Sequence, residues 1–237
     1  MPCKNPLLST RDKTGGILHT CYLLPPMREL FEKSGSLKTV RNNTIIIEAG
    51  EIPQYCYLIK KGRIIGYDYS STGDEKTYTV ILPHSLFLEA NLIANQPSSV
   101  NFRAVRLSEL IFIDRQTLLK QMANDFNFTL DIVKSVSFKY FSSLNQVQML
   151  KSHDAAWMLC SQLLQFSDCF GVPHGGKTMI REKINQEILS SLLGVSRMTI
   201  VRALEKFKKL GLIDKINGYY CISDTQRMRR YLETLDE

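Results

Sequence analysis

The chain has 237 residues, with 30 Lys and Arg against 23 Asp and Glu, for a net charge of +7. Hydrophobic residues make up 44% and charged residues 22%, a folded composition that excludes disorder as the main state and leaves room for two modest domains. No apolar run approaches the roughly 18 residues of a membrane span, and residues 1–16 lack the apolar core of a secretory signal, so a soluble, cytoplasmic protein is expected. The basic excess permits a nucleic-acid partner without establishing one.

In chain order, residues 1–36 read as an arm and a short helix. Pro25-Pro26 starts that helix, Met27 to Lys33, and Ser34-Gly35 ends it. From 37 to 114 the text turns to strands: Asn43–Glu48, Tyr55–Lys60, Arg63–Tyr69, Lys76–Leu82, Phe102–Val105 and Glu109–Ile113. Short strands with regular turn signals predict a sandwich or barrel. Residues 115–150 read as helical. Val133, Val136, Tyr140, Leu144 and Val147 follow a 3–4 spacing, the narrow stripe through which two helices pair, and Lys151 breaks it. This stripe predicts a homodimer, the alternative being a helix packed on its own β domain.

Ser152-His153-Asp154 reads as a hinge, with Asp154 capping an apolar helix over Ala155–Phe166. Ser167 to Lys177 reads as a loop and Thr178–Arg181 as a strand. Two helices follow, Ile184–Leu192 and Arg197–Leu210, joined by Leu193-Gly194-Val195 and capped by Ser196. This is the pattern of a helix–turn–helix. Asn217-Gly218 between apolar residues predicts a hairpin, hence a wing.

Residues 177–215 hold nine Lys/Arg against Glu182, Glu187, Glu205 and Asp214, a local +5 that is most of the whole-chain excess. Arg197, Met198, Val201 and Arg202 are expected on the reading face, with Ser190, Thr199 and Lys206 toward phosphates. Double-stranded DNA is the expected partner. The domain reading is therefore 1–36, 37–114, 115–151 and 152–237.

The six cysteines contain no C-x-x-C pair, and the four histidines form no ligand set, so no metal, disulfide or cofactor is expected. There is no P-loop, no G-x-S-x-G and no His/Asp/Cys set at catalytic spacing, so no enzyme is expected. A non-catalytic adaptor is the competing class, and the basic helix face argues against it.

Glu48-Ala49-Gly50-Glu51 with Gly62, followed by Gly194-Val195-Ser196-Arg197 with Thr199 and Arg202, resembles the cAMP receptor protein/fumarate-nitrate regulator (Crp/Fnr) family. The likeness covers about residues 37–222. It implies an α+β chain: a cyclic-nucleotide-binding-like β-roll, a long dimerisation helix and a C-terminal winged helix–turn–helix. It also implies a dimeric transcription regulator on a palindromic operator, with RNA polymerase as a partner. Ser196 and Thr199 would face phosphates, and Arg197 and Arg202 would read bases or phosphates.

Cyclic-nucleotide members carry a Gly-Glu pair for ribose and an Arg-Ser pair for phosphate. Here Leu88-Glu89 keeps only the acid and Pro97-Ser98-Ser99 lacks the arginine, so cAMP is not expected. Cys3 and Cys21 do not reproduce the cysteine cluster of the oxygen sensors. Ala90 stands near the place of the histidine in the haem-binding members. HSLFLEANLI resembles the chlorophenol-sensing regulators of organohalide respiration. That likeness places Glu89, Ser98, Ser99, Lys139, Tyr140, Ser142 and Ser143 near a pocket for a phenolic or halogenated aromatic, with Lys139 toward a phenolate. The alternative is a ligand-independent or thiol-responsive regulator using Cys3 or Cys221.

Many family members have a Glu at the place of Met198. Methionine cannot accept from a cytosine amino group, but it packs on a thymine methyl. Selection from a random DNA pool should therefore return a palindrome without a strong G·C requirement at that step. A strict TGTGA palindrome would contradict this.

Overall fold

The computed structural model describes residues 18–19 and 25–235. Apart from residues 18–19, the expected arm ahead of Pro25 lies outside the described residues, as do Cys3 and Cys21. The elements in chain order begin with β1 (Leu18–His19), α1 (Pro25–Ser34), β2 (Ser36–Val40), β3 (Ile45–Ile47), β4 (Tyr55–Lys61), β5 (Ile64–Tyr69), β6 (Glu75–Ile81) and β7 (Leu86–Phe87). They continue with α2 (Glu89–Ala94), β8 (Asn101–Ala104), β9 (Ser108–Asp114), α3 (Arg115–Asn124) and α4 (Phe126–Ser152). The last are α5 (Ala155–Phe170), β10 (Gly171–His174), β11 (Lys177–Ile180), α6 (Gln186–Leu193), α7 (Arg197–Lys209), β12 (Ile213–Ile216), β13 (Tyr219–Ile222) and α8 (Thr225–Glu233). The chain divides into one compact unit reaching to Ser143 and a second from Leu144 onward.

The first unit is a roll of two sheets, ordered β1-β6-β5-β8-β3 and β2-β9-β4-β7. Strand alternation feeds two cores at once. Ile59 and Leu110 point between the sheets, into a core with Ile47, Ile64, Phe87 and Phe102. Their neighbours Leu58 and Ile111 point the other way, onto Phe31, Leu92, Leu118, Phe128 and Ile132 of the helices. At the β4–β5 turn Gly62 has φ +96°, and a Cβ there would stand 2.6 Å from the Ser108 Cα, so only glycine fits. At the other motif glycine, the Gly50 amide donates to the Ser98 carbonyl at 2.8 Å, and the Ser98 amide donates to that of Glu51 at 2.8 Å.

The expected single helical stretch over 115–150 is two helices. Asp125 interrupts it, and its Oδ1 accepts from the Phe128 amide at 3.0 Å and starts α4. Along α4, Phe126, Leu130, Val133, Tyr140, Leu144 and Val147 are all exposed. Their spacing alternates 4 and 3 when Ser137 is placed in register, a seven-residue repeat. Val136, expected in that stripe, is half-buried beside it.

In the second unit, α5 packs against α6, α7 and α8 and against the sheet β10-β11-β13-β12. Asp154 caps α5 as expected, accepting from the Trp157 amide at 2.8 Å. His153 stacks on Trp157 with ring centroids 3.8 Å apart. The loop expected over 167–177 is instead the last turn of α5 and the first hairpin strand. The turn residues Gly175 and Gly176 have positive φ, so their signal marked a hairpin tip rather than a long loop.

Candidate nucleic-acid interface and effector site

The interface is built by local signals. Asn185 caps α6 through the Ile188 amide at 2.7 Å. Gly194 ends α6 at φ 65°. Ser196 caps α7, its Oγ accepting from the Thr199 amide at 3.1 Å. Leu189, Leu192 and Leu193 of α6 are buried, as are Ile200, Ala203, Leu204 and Phe207 of α7, and the two helices pack on each other. That apolar side fixes which face of α7 is left outward.

Ser196, Arg197, Met198, Arg202 and Lys206 are exposed, with Met198 60% so. Thr199 and Val201 are half-buried, and the Thr199 hydroxyl lies 2.8 Å from that of Ser196. The Ser190 hydroxyl donates to the Val195 carbonyl at 2.6 Å, so its proton serves the turn. Two residues that the sequence pattern had not singled out stand beside Arg197: Gln186 Oε1 accepts from its Nε at 3.4 Å, and Glu187 Oε1 lies 4.0 Å from Nη1. The i,i+10 and i,i+11 spacing across a turn carries no sequence signature.

After α7, the hairpin of β12 and β13 closes as expected at Asn217 and Gly218, both with positive φ. Lys177 pairs with Asp214 at 3.0 Å, tying β11 to β12. Hydrogen bonding to Lys177 holds the Asp214 carboxyl below its usual range. After the wing comes α8, which the sequence reading left out. Arg227 on it donates to the Leu210 carbonyl at 2.8 Å and closes the C-terminal end of α7.

The effector candidates separate. Glu89 is 1% exposed, and Ser135 Oγ donates to its Oε1 at 2.9 Å. Lys139 Nζ, one turn further along α4, donates to the same oxygen and to the Leu86 carbonyl, the latter at 2.9 Å. Burial pushes the Glu89 carboxyl upward. The charge and hydrogen bond of Lys139, its own amide and Ser135 together bring it below the ordinary carboxylate value. Leu88, which precedes Glu89, is 4% exposed and adopts φ 65°. A leucine there is strained by about 1–2 kcal/mol.

Ser98 is buried, its hydroxyl donating to the Val100 carbonyl at 2.6 Å, and Ser99 is exposed. Tyr140 is exposed against Phe141, Ser142 is half-buried and Ser143 is exposed. The structure thus joins Glu89, Lys139 and the unforeseen Ser135, and leaves Ser99, Tyr140 and Ser143 outward. Cys221, a candidate thiol sensor, is fully buried, and burial raises its thiol, so it lacks the accessible thiolate that such chemistry needs. Burial likewise pushes Cys160 up to about 12. No metal-binding group of His, Cys, Asp and Glu occurs among the described residues. No helix among them is long and apolar enough to cross a membrane.

Residues 37–125 match the family model of the cyclic nucleotide-binding domain, and residues 159–231 match that of the Crp-like helix-turn-helix domain. The chain belongs to the Crp/Fnr family. It is a Crp/Fnr-type transcription regulator, with an effector-binding domain and a helix–turn–helix DNA-binding domain. It is 25% identical over 190 residues to the CRP-like cAMP-activated global transcriptional regulator of Mycobacterium tuberculosis, covering 80% of this chain and 84% of that protein. Among solved structures, a CooA variant from Carboxydothermus hydrogenoformans superposes with TM-score 0.74 at 18% identity, covering 89% of this chain and 95% of that one. A Cys→Ser variant of CprK complexed with OCPA superposes with TM-score 0.71 at 15% identity, covering 92% and 97%. These likenesses establish the fold.

The buried Glu89 of this Crp/Fnr chain depends on its cation. Lys139→Met should destabilise the protein by about 3 kcal/mol in urea denaturation at neutral pH. Adding Glu89→Gln should recover most of that. Because the folded-state carboxyl titrates below its unfolded value, the stabilisation is full above the unfolded pKa and is lost as pH falls through the folded one. The difference between wild type and Lys139→Met should shrink in that window. A difference that does not change with pH would contradict the assignment.

Proposed function

We propose that this chain acts as a homodimer that places two copies of α7 in successive major grooves of a palindromic operator, under control of the roll. The observation that carries the reading is the start of α7. A glycine in the left-handed region and a serine cap present Arg197, Met198 and Arg202 to solvent at a helix N-terminus, the geometry that base-edge readout uses. The exposed seam of α4 supports pairing with a second copy, since an apolar patch of this length is what coiled-coil partners cover. The dimer would set the two reading helices about 34 Å apart. RNA polymerase is the further partner that family membership suggests.

Within the roll, a cyclic nucleotide is disfavoured by the pairing of Glu89 with Lys139 and by Pro97 standing before Ser98 where the cyclic-nucleotide members carry arginine. A phenolic or halogenated aromatic is the class proposed. Two of the three Lys139 N–H groups are used by Glu89 and the Leu86 carbonyl, and the third is the donor a phenolate would take. The same internal pairing favours a second reading: Lys139 fills the role of a ligand and the regulator needs none.

Calorimetry against a chlorophenol panel and cAMP should give heat with a phenol and none with cAMP. Heat with cAMP alone would refute the phenolic reading, and none from any compound would favour the ligand-independent one. Arg202→Ala should abolish operator binding in a mobility-shift assay while sedimentation still reports a dimer. Unchanged operator affinity would mean that α7 is not the reading helix.

A further inference from the structure

Arg197 is the first residue of α7. A cation there faces the positive end of the helix dipole, and the first turn of α7 holds no acid to offset it. Its side chain is 64% exposed, on a long stem with many rotamers. Ordering such a group on a base edge costs entropy, and nearby phosphates compete for it.

The preceding helix supplies what α7 lacks. Gln186 and Glu187 form the first turn of α6, which Asn185 caps. An acid at that place is favoured by the dipole of α6 itself, so the charge of Glu187 is stabilised there independently of Arg197. Gln186 takes the Arg197 Nε–H, and the Glu187 carboxylate lies beside Nη1. The two Nη nitrogens still carry the pair of N–H groups that O6 and N7 of a guanine accept. Met198, next to Arg197 on the reading face, offers no carboxylate.

We propose that Glu187, with Gln186, is a positioning residue for sequence readout, holding Arg197 for a guanine edge and away from the phosphates. The proposal rests on the reading of α7 as the recognition helix. It carries an internal signature. Glu187 is an exposed anion facing a polyanion, so it weakens sequence-independent binding. By aligning Arg197 it strengthens discrimination. Its removal should move the two quantities in opposite directions, which neither a structural role nor plain charge repulsion would do.

The test is fluorescence-anisotropy titration of the full-length wild type, Glu187→Gln, Gln186→Ala and Arg197→Ala. Three duplexes are used: one bearing the palindrome recovered from a random pool, one with adenine replacing the guanine whose preference Arg197→Ala erases, and one scrambled duplex of equal length. Glu187→Gln should lower the guanine-over-adenine preference about tenfold while binding the scrambled duplex more tightly. Gln186→Ala should lower the preference without tightening scrambled binding. Combined with Arg197→Ala, Glu187→Gln should cause no further loss of preference.

Tighter binding to every duplex with the preference intact would reduce Glu187 to a repelling charge and overturn the proposal. Weaker binding to every duplex, or a lowered thermal midpoint, would make it structural and overturn it too. A wild type that does not distinguish palindrome from scrambled duplex would instead overturn the recognition-helix reading and the proposal with it.

Discussion

The long helix α4 is apolar on two sides, and water favours neither exposure. On one side Phe128 and Ile132 are buried against the roll, and Lys139 reaches the buried Glu89. A carboxylate taken out of water needs a charge partner and hydrogen bonds, and α4 is where Glu89 finds them. That contact fixes the rotation of α4 about its own axis. Tyr140 follows Lys139 directly, so with a turn every 3.6 residues it lies about 100° around the helix. Leu130, Val133 and Tyr140 are therefore left exposed on the other side. One ion pair and one helical period together decide which surface of α4 is left exposed.

The DNA-binding unit depends on constraints of shorter range. The turn between α6 and α7 needs a left-handed residue at Gly194, a hydroxyl cap at Ser196 and the Ser190 hydroxyl on the Val195 carbonyl. With those in place, the burial of Ile200, Leu204 and Phe207 fixes which face of α7 is left outward. Arg227 from α8 closes its far end. The basic residues Lys206, Lys208 and Lys209 stand in the last turn, where the helix dipole favours them.

This difference in range explains what could be read in the sequence. Gly194, Ser196, Asp154 and Asn217-Gly218 each act within a few residues of themselves, and each does in the structure what its type predicts. Asp125 was hidden because a cap without proline or glycine interrupts no hydrophobic period. The short helix α2 was hidden because Leu88 takes the left-handed conformation that glycine usually signals. The strand β10 was masked by Pro173 and the glycines around it, which an edge strand tolerates. In the roll, Glu89 was visible as an acid, but its partners lie 46 and 50 residues away and only the fold brings them together. Gln186 and Glu187 beside Arg197 were missed for the same reason, since a turn of particular geometry sets their distance.

Pairing along α4 is proposed to place two copies of α7 on one face of the duplex. Hydroxyl-radical footprinting on the palindrome recovered by selection reads out that placement. It should show two dyad-related protected patches whose centres are about one helical turn, 10 base pairs, apart. A single protected patch, or two without dyad symmetry at that spacing, would contradict it.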